Sequence, residues 1–102
     1  MASYPITKVT DAPPGSMIGA EVEGHRILLA NVEGQFYVIG AVCNHRGGFL
    51  DRGKLEGSVV TCPLHGSKWD VRTGMLVQFV RPLPPEKTYK VVIEGDQVLV
   101  ET

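Results

Sequence analysis

Both cysteines of this 102-residue chain, and two of its three histidines, fall in two short segments. The first reads Cys43-Asn44-His45 and the second Cys62-Pro63-Leu64-His65, with sixteen residues between His45 and Cys62. Thiolate and imidazole are the side chains that hold soft and borderline metal ions. A Cys and a His two or three positions apart can reach two different metal atoms from one loop, and two such loops can clamp a binuclear group. In a sulfide-bridged iron pair, imidazole in place of thiolate on one iron removes negative charge and raises the reduction potential. The rival chemistry is a structural zinc site, because Cys2His2 is a common donor set for that ion. Zinc modules usually pair Cys with Cys and His with His, whereas each segment here mixes the two. The spacing therefore favours iron–sulfur ligation and leaves zinc open. Gly47, Gly48 and Gly66 stand beside the donors, where the lack of a side chain lets backbone N–H groups approach sulfur.

Such donors need a frame that holds two loops side by side. Helical periodicity is hard to find, and the chain consists instead of short β-type runs broken by Gly, Pro and Asp. Runs at 6–9, 25–30, 35–39, 58–61, 68–71, 75–79, 88–93 and 97–100 read as strands. Pro13-Pro14-Gly15, Glu33-Gly34, Arg72-Thr73-Gly74 and Glu94-Gly95-Asp96 read as turns. Tyr89, Val91 and Ile93 alternate with Lys90, Val92 and Glu94, the period of a half-covered strand. A short helical turn is expected near 49–55. The predicted class is all-β, with antiparallel sheets stacked as a small sandwich and a small cluster-binding subdomain. One domain over 1–102 is expected, with its metal-binding segment at about 41–74.

Composition narrows the field. Hydrophobic residues make up 43% and charged residues 21%, so a folded core is expected and disorder is not. A net charge of −1 gives no reason to expect nucleic acid as a partner. Segment 41–74 carries five basic side chains against three acidic ones, and the remainder is net negative. No apolar run approaches the roughly 20 residues that span a bilayer, and residues 1–8 lack the basic-then-apolar pattern of a secretion leader. A cytoplasmic protein without a membrane partner is expected, its cysteines thiols or metal ligands rather than a disulfide. His25 lies outside both segments and reads as a surface residue. Asp70, the carboxylate nearest a donor segment, reads as a turn residue before Arg72-Thr73-Gly74.

The stretches Cys43-Asn44-His45-Arg46-Gly47-Gly48 and Cys62-Pro63-Leu64-His65-Gly66-Ser67-Lys68-Trp69-Asp70-Val71-Arg72-Thr73-Gly74 resemble the two cluster-binding boxes of Rieske proteins. They are most similar to the soluble Rieske ferredoxins of bacterial ring-hydroxylating oxygenase systems. The resemblance implies one [2Fe–2S] cluster, with Cys43 and Cys62 on the inner iron and His45 and His65 on the outer, near solvent. It also implies that segment 81–85, Arg-Pro-Leu-Pro-Pro, forms a third loop over the cluster. Gly48 and Leu64 stand where the respiratory branch of the family has two further cysteines joined as a disulfide, so that bridge is absent. Trp69 stands where that branch has a Tyr whose hydroxyl bonds a cysteine sulfur, and an indole N–H is not expected to reach the same spot. Ser67 keeps the hydroxyl that in the family bonds a bridging sulfide.

Fewer donors to sulfur stabilise the reduced state less, so a potential toward the lower end of the Rieske range of roughly −150 to +300 mV is expected, to be read by protein-film voltammetry. Reduction places negative charge near the two imidazoles and favours their protonated forms, so the potential should depend on pH in the alkaline range. The resemblance implies a one-electron carrier rather than an enzyme, a monomer that docks transiently with a flavin-dependent NAD(P)H reductase and a terminal oxygenase. The alternatives are a small Rieske subunit of a nitrite reductase-type assembly and, from another class, a zinc-stapled binding module.

Overall fold

Residues Ile27, Leu28, Leu29 and Ala30 are apolar at consecutive positions, so a strand built from them must be covered on both faces. In the computed structural model, which describes residues 2–43, 48–64 and 66–102, they lie in β3 (His25–Val32), and all four are buried. Leu28 and Ala30 belong to one core and Ile27 and Leu29 to another. The rest of the architecture is arranged about this strand.

The other strands are β1 (Ser3–Lys8), β2 (Met17–Val22), β4 (Gln35–Gly40), β5 (Lys54–Glu56), β6 (Val59–Thr61), β7 (Lys68–Asp70), β8 (Leu76–Gln78), β9 (Thr88–Glu94) and β10 (Gln97–Glu101). Six form one sheet in the order β1-β10-β9-β4-β3-β2, and four form a second in the order β5-β6-β7-β8. All pairings are antiparallel. Glu33 and Gly34 both have positive φ, 54° and 91°, which is the two-residue type I′ geometry that matches strand twist. That turn sets Val32 opposite Gln35 and fixes the register of β3 on β4.

β4 meets β9 through the pairs Val38–Tyr89 and Ile39–Thr88. Val98 and Val100 of β10 pack with Ile27, Leu29 and Val38 in the second core. The first core lies between the other face of β3 and β4 and the four-stranded sheet. Leu28, Ala30 and Ile39 meet Val60, Trp69 and Val71 there, and Cys43 and Cys62 are part of it.

The all-β antiparallel class agrees with the sequence, and the expected helical turn is a 3-10 turn at Leu50–Arg52. Two strands were not expected. In β2, Gly19 and Ala20 interrupt the apolar pattern and have weak strand preference. β5 has three residues, two of them charged. β1 begins earlier than position 6 because Pro5 sits on an edge strand, where a missing N–H is tolerated, and the register shifts between Pro5 and Thr7.

Candidate metal centre

Each cysteine stands at the end of a strand-like arm. Ala41 donates its N–H to Arg26 O at 3.0 Å and accepts at its own carbonyl from Leu50 N at 2.7 Å. Val42 bridges Phe49 in the same antiparallel sense. Cys43 N then donates to Gly48 O at 2.7 Å. The second segment repeats the device. Cys62 follows β6 directly, and its N–H donates to Ser67 O at 2.8 Å. In both cases the cysteine N–H reaches the carbonyl five residues on, so a backbone bond closes each segment at its neck.

Side chains fasten the two necks to the frame. Arg26 of β3 donates from Nε and Nη2 to the two carboxylate oxygens of Asp51, at 2.9 and 2.6 Å. Its guanidinium lies 4.5 Å from the centre of the Phe49 ring, and that of Arg52 lies 5.2 Å from the same ring. The Asp51 side chain is nearly buried, and it fills the space where a side chain at Gly19 would stand. Around the second segment, Lys68 Nζ donates to Thr61 Oγ1 at 3.0 Å. Asp70 accepts from the backbone N–H and the guanidinium of Arg72, the turn role expected for it. The Arg72 guanidinium beside it holds the Asp70 carboxyl below its ordinary value.

The cysteines are free and both are buried at 3% exposure. Each sulfur lies against the other segment. Cys43 Sγ is 3.4 Å from Ser67 Oγ. Cys62 Sγ would lie 3.1 Å, and Leu64 Cδ1 2.9 Å, from a Cβ placed on Gly48. A side chain at position 48 would crowd Cys62 Sγ and the Leu64 side chain. Ser67 is itself fully buried and accepts a hydrogen bond from Trp69 Nε1 at 3.0 Å. Two buried thiols with a hydroxyl beside one of them, in an otherwise apolar core, suit a soft thiolate-held group.

The expected histidine donors, His45 and His65, lie outside the described residues, as do Asn44, Arg46 and Gly47. Among the described residues no three His, Cys, Asp or Glu side chains converge. His25 is exposed at the start of β3. Of segment 81–85, Leu83 packs against the core cluster that includes both cysteines. Sequence reasoning did not find the Arg26–Asp51 pair, which joins positions 25 residues apart. It also did not find the Ser67–Trp69 link, which joins a residue just before β7 to one within it.

The described residues contain no helix long and apolar enough to cross a membrane. The model of the Rieske [2Fe–2S] domain matches residues 2–100, and the chain belongs to that family. The zinc alternative thereby falls away, and the cofactor is a [2Fe–2S] cluster. Among curated proteins, the ferredoxin component of biphenyl 2,3-dioxygenase from Rhodococcus jostii (strain RHA1) is 39% identical over 104 residues, covering 99% of this chain and 94% of that protein. Among solved structures, the ferredoxin of carbazole 1,9a-dioxygenase from Nocardioides aromaticivorans IC177 superposes with a TM-score of 0.91 at 28% identity, covering 98% and 97%. A chain of the complex of reduced oxygenase and oxidized ferredoxin in carbazole 1,9a-dioxygenase gives 0.90 at 27% identity, covering 96% and 91%.

Proposed function

We propose that this chain is the ferredoxin component of a ring-hydroxylating oxygenase system. It carries single electrons from a flavin-dependent NAD(P)H reductase to a terminal oxygenase. The whole of 1–102 acts as one domain, with its ligand segment at about 41–74, and works as a cytoplasmic monomer. Cys43 and Cys62 hold one iron, and His45 and His65 hold the other. Bound there, a [2Fe–2S] cluster supplies a place for one electron, taken up and released unchanged in atoms. The chain itself excludes water from the thiolate side, fixes both necks by backbone bonds and sets a hydroxyl beside Cys43.

The observation that carries this reading is the crossing of the two segments, each cysteine sulfur lying against the opposite one. A binuclear group needs donors from both sides, and neither segment can bind it alone. Near full-length similarity to ferredoxin components supports the role, and the solved oxygenase–ferredoxin complex supports the choice of acceptor.

The protein purified without oxygen should absorb visible light and give a [2Fe–2S] electron paramagnetic resonance signal after reduction. Cys62→Ser should lose both, together with much stability, because ligand binding is coupled to folding of these segments. His65→Cys should lower the potential if the cluster survives, since thiolate restores negative charge. A colourless protein, or a Cys62→Ser variant with an unchanged spectrum, rules the reading out.

A further inference from the structure

Leu55, Val60 and Trp69 face the core of the four-stranded sheet, so strand alternation turns Lys54, Thr61 and Lys68 to its outer face. Register sets these three on one rung, Lys54 opposite Thr61 and Thr61 opposite Lys68. Thr61 directly precedes Cys62, and Lys68 directly follows Ser67, whose carbonyl closes the neck of the second ligand segment. The rung therefore abuts that neck. Lys54 and Lys68 are rooted about 10 Å apart across β6, and the bond from Lys68 Nζ to Thr61 Oγ1 holds one ammonium over the rung. Arg52, exposed in the 3-10 turn two residues before Lys54, continues the row. Among the described residues none of these three cations is in an ion pair.

Charge elsewhere runs the other way. The next rung on the same face, away from the ligands, carries Glu56 and Asp70, the latter paired with Arg72. β4 runs from Gln35 toward Cys43, and Ile39 pairs with Thr88 of β9. The turns at Glu33 and at Glu94–Asp96 thus lie at the end far from the ligands, and Val9 N bonds Asp96 O there. That end exposes Asp11, Glu33, Glu94 and Asp96 against Lys8. Beside the first ligand segment, Asp51 is taken up by Arg26. With a net charge of only −1, position rather than total sets the field at the ligand end.

We infer that Arg52, Lys54 and Lys68 form a docking row for carboxylates on the electron donor, the flavin-dependent reductase, and that reduction loosens this contact. The inference rests on the carrier role proposed above. One electron leaves the donor's flavin and enters the metal centre, which becomes one unit more negative with no bond made or broken. That charge lies beside the row and offsets part of its field. An acidic partner is therefore held more tightly by the oxidised form, which a donor must meet, than by the reduced form, which it must let go. An acidic acceptor would face the reverse order and bind the spent carrier best. This asymmetry assigns the carboxylates to the donor. Attraction of this kind acts on encounter and fades with salt.

The test titrates a fluorescein-labelled decaglutamate peptide, as carboxylate probe, into the cluster-loaded protein without oxygen, read by fluorescence anisotropy. The oxidised form should bind several-fold more tightly than the reduced form, and added salt should weaken both. Lys54→Gln with Lys68→Gln should lose most of the binding. Lys54→Arg with Lys68→Arg should keep it, which separates lost charge from a disturbed sheet. Glu94→Gln with Asp96→Asn removes two far-end charges and should leave affinity close to wild type. Unchanged binding by the Gln pair, tighter binding by the reduced form, or a far-end gain as large as the near-row loss overturns the inference. In stopped-flow mixing, salt should slow reduction by the reductase, and the Gln pair should slow it several-fold. If salt slows delivery to a terminal oxygenase and leaves the reductase step unmoved, the donor assignment fails. A wild type without visible absorption sinks the carrier role itself, whereas a coloured, reducible protein that ignores the probe sinks only the docking row.

Discussion

At the scale of single residues, the chemistry near the centre divides between side chains that tune and side chains that pin. Asp70 pins. Its carboxyl is held below its ordinary value near 3.8, chiefly by the hydrogen bond from Arg72, so its ionised form is favoured in the fold. A group with a depressed folded pKa adds stability above its unfolded value, and that contribution disappears as pH falls through the folded one. Asp70→Asn keeps one oxygen for the Arg72 backbone N–H and loses the charge together with one of the two acceptors that face the guanidinium. The wild type should therefore melt above Asp70→Asn at neutral pH, with the gap narrowing below about pH 4, as followed by circular dichroism at a series of pH values. Donor identity was legible in the sequence because mixed Cys/His pairs are uncommon and ligand chemistry demands particular atoms. The partner of each donor was not. Trp69 was read against a Tyr at the same position, yet its N–H serves the hydroxyl of Ser67, two residues earlier.

At the scale of elements, the first ligand segment depends on strands far from it in sequence. Arg26 on β3 grips Asp51 in the 3-10 turn, and β2 passes so close that Gly19 leaves room for the carboxylate. Gly19→Ala should destabilise the protein by about 1–3 kcal/mol, the usual scale for overpacking a tight contact. The same change made together with Asp51→Ala should have a smaller effect, since the obstructing carboxylate is then gone. Thermal melts of the two single variants and the double variant give the coupling. Asp51→Ala by itself should reduce the fraction of cluster retained on gel filtration, because Phe49 and the neck behind Cys43 lose their anchor. Strands with β-branched or aromatic alternation, such as β9 and β10, could be read from the chain directly. β2 could not, because the small residues that weaken its pattern are there to admit a side chain 32 positions away.

At the scale of the whole molecule, two cores share β3 but differ in what they depend on. The first contains both cysteines, and the second is built from side chains of β1–β4, β9 and β10 with Val9 and Ala12 between β1 and β2, and has no metal donor among its buried members. Metal binding and folding are coupled where the ligands sit, and parts of one protein can open independently. Removing the iron with a chelator should therefore speed amide hydrogen exchange across β5–β8, while amides of Val98 and Val100 stay protected. Exchange followed by mass spectrometry distinguishes this from a uniform loss of protection. A second expectation concerns Leu64, which is 59% exposed and adjacent to His65. The neutral change Leu64→Gln should leave the potential nearly unchanged and slow electron delivery to a terminal oxygenase in stopped-flow mixing, as loss of an apolar contact.

The necks behind Cys43 and Cys62 have one more consequence. They are tied by main-chain atoms, which every amino acid carries, so the tie survives almost any rewriting of the letters between them. Positions 44, 46 and 47 can then be rewritten to suit a new redox neighbour while the proposed ligand His45 and the frame are kept, and a designer can make such changes in one cloning step.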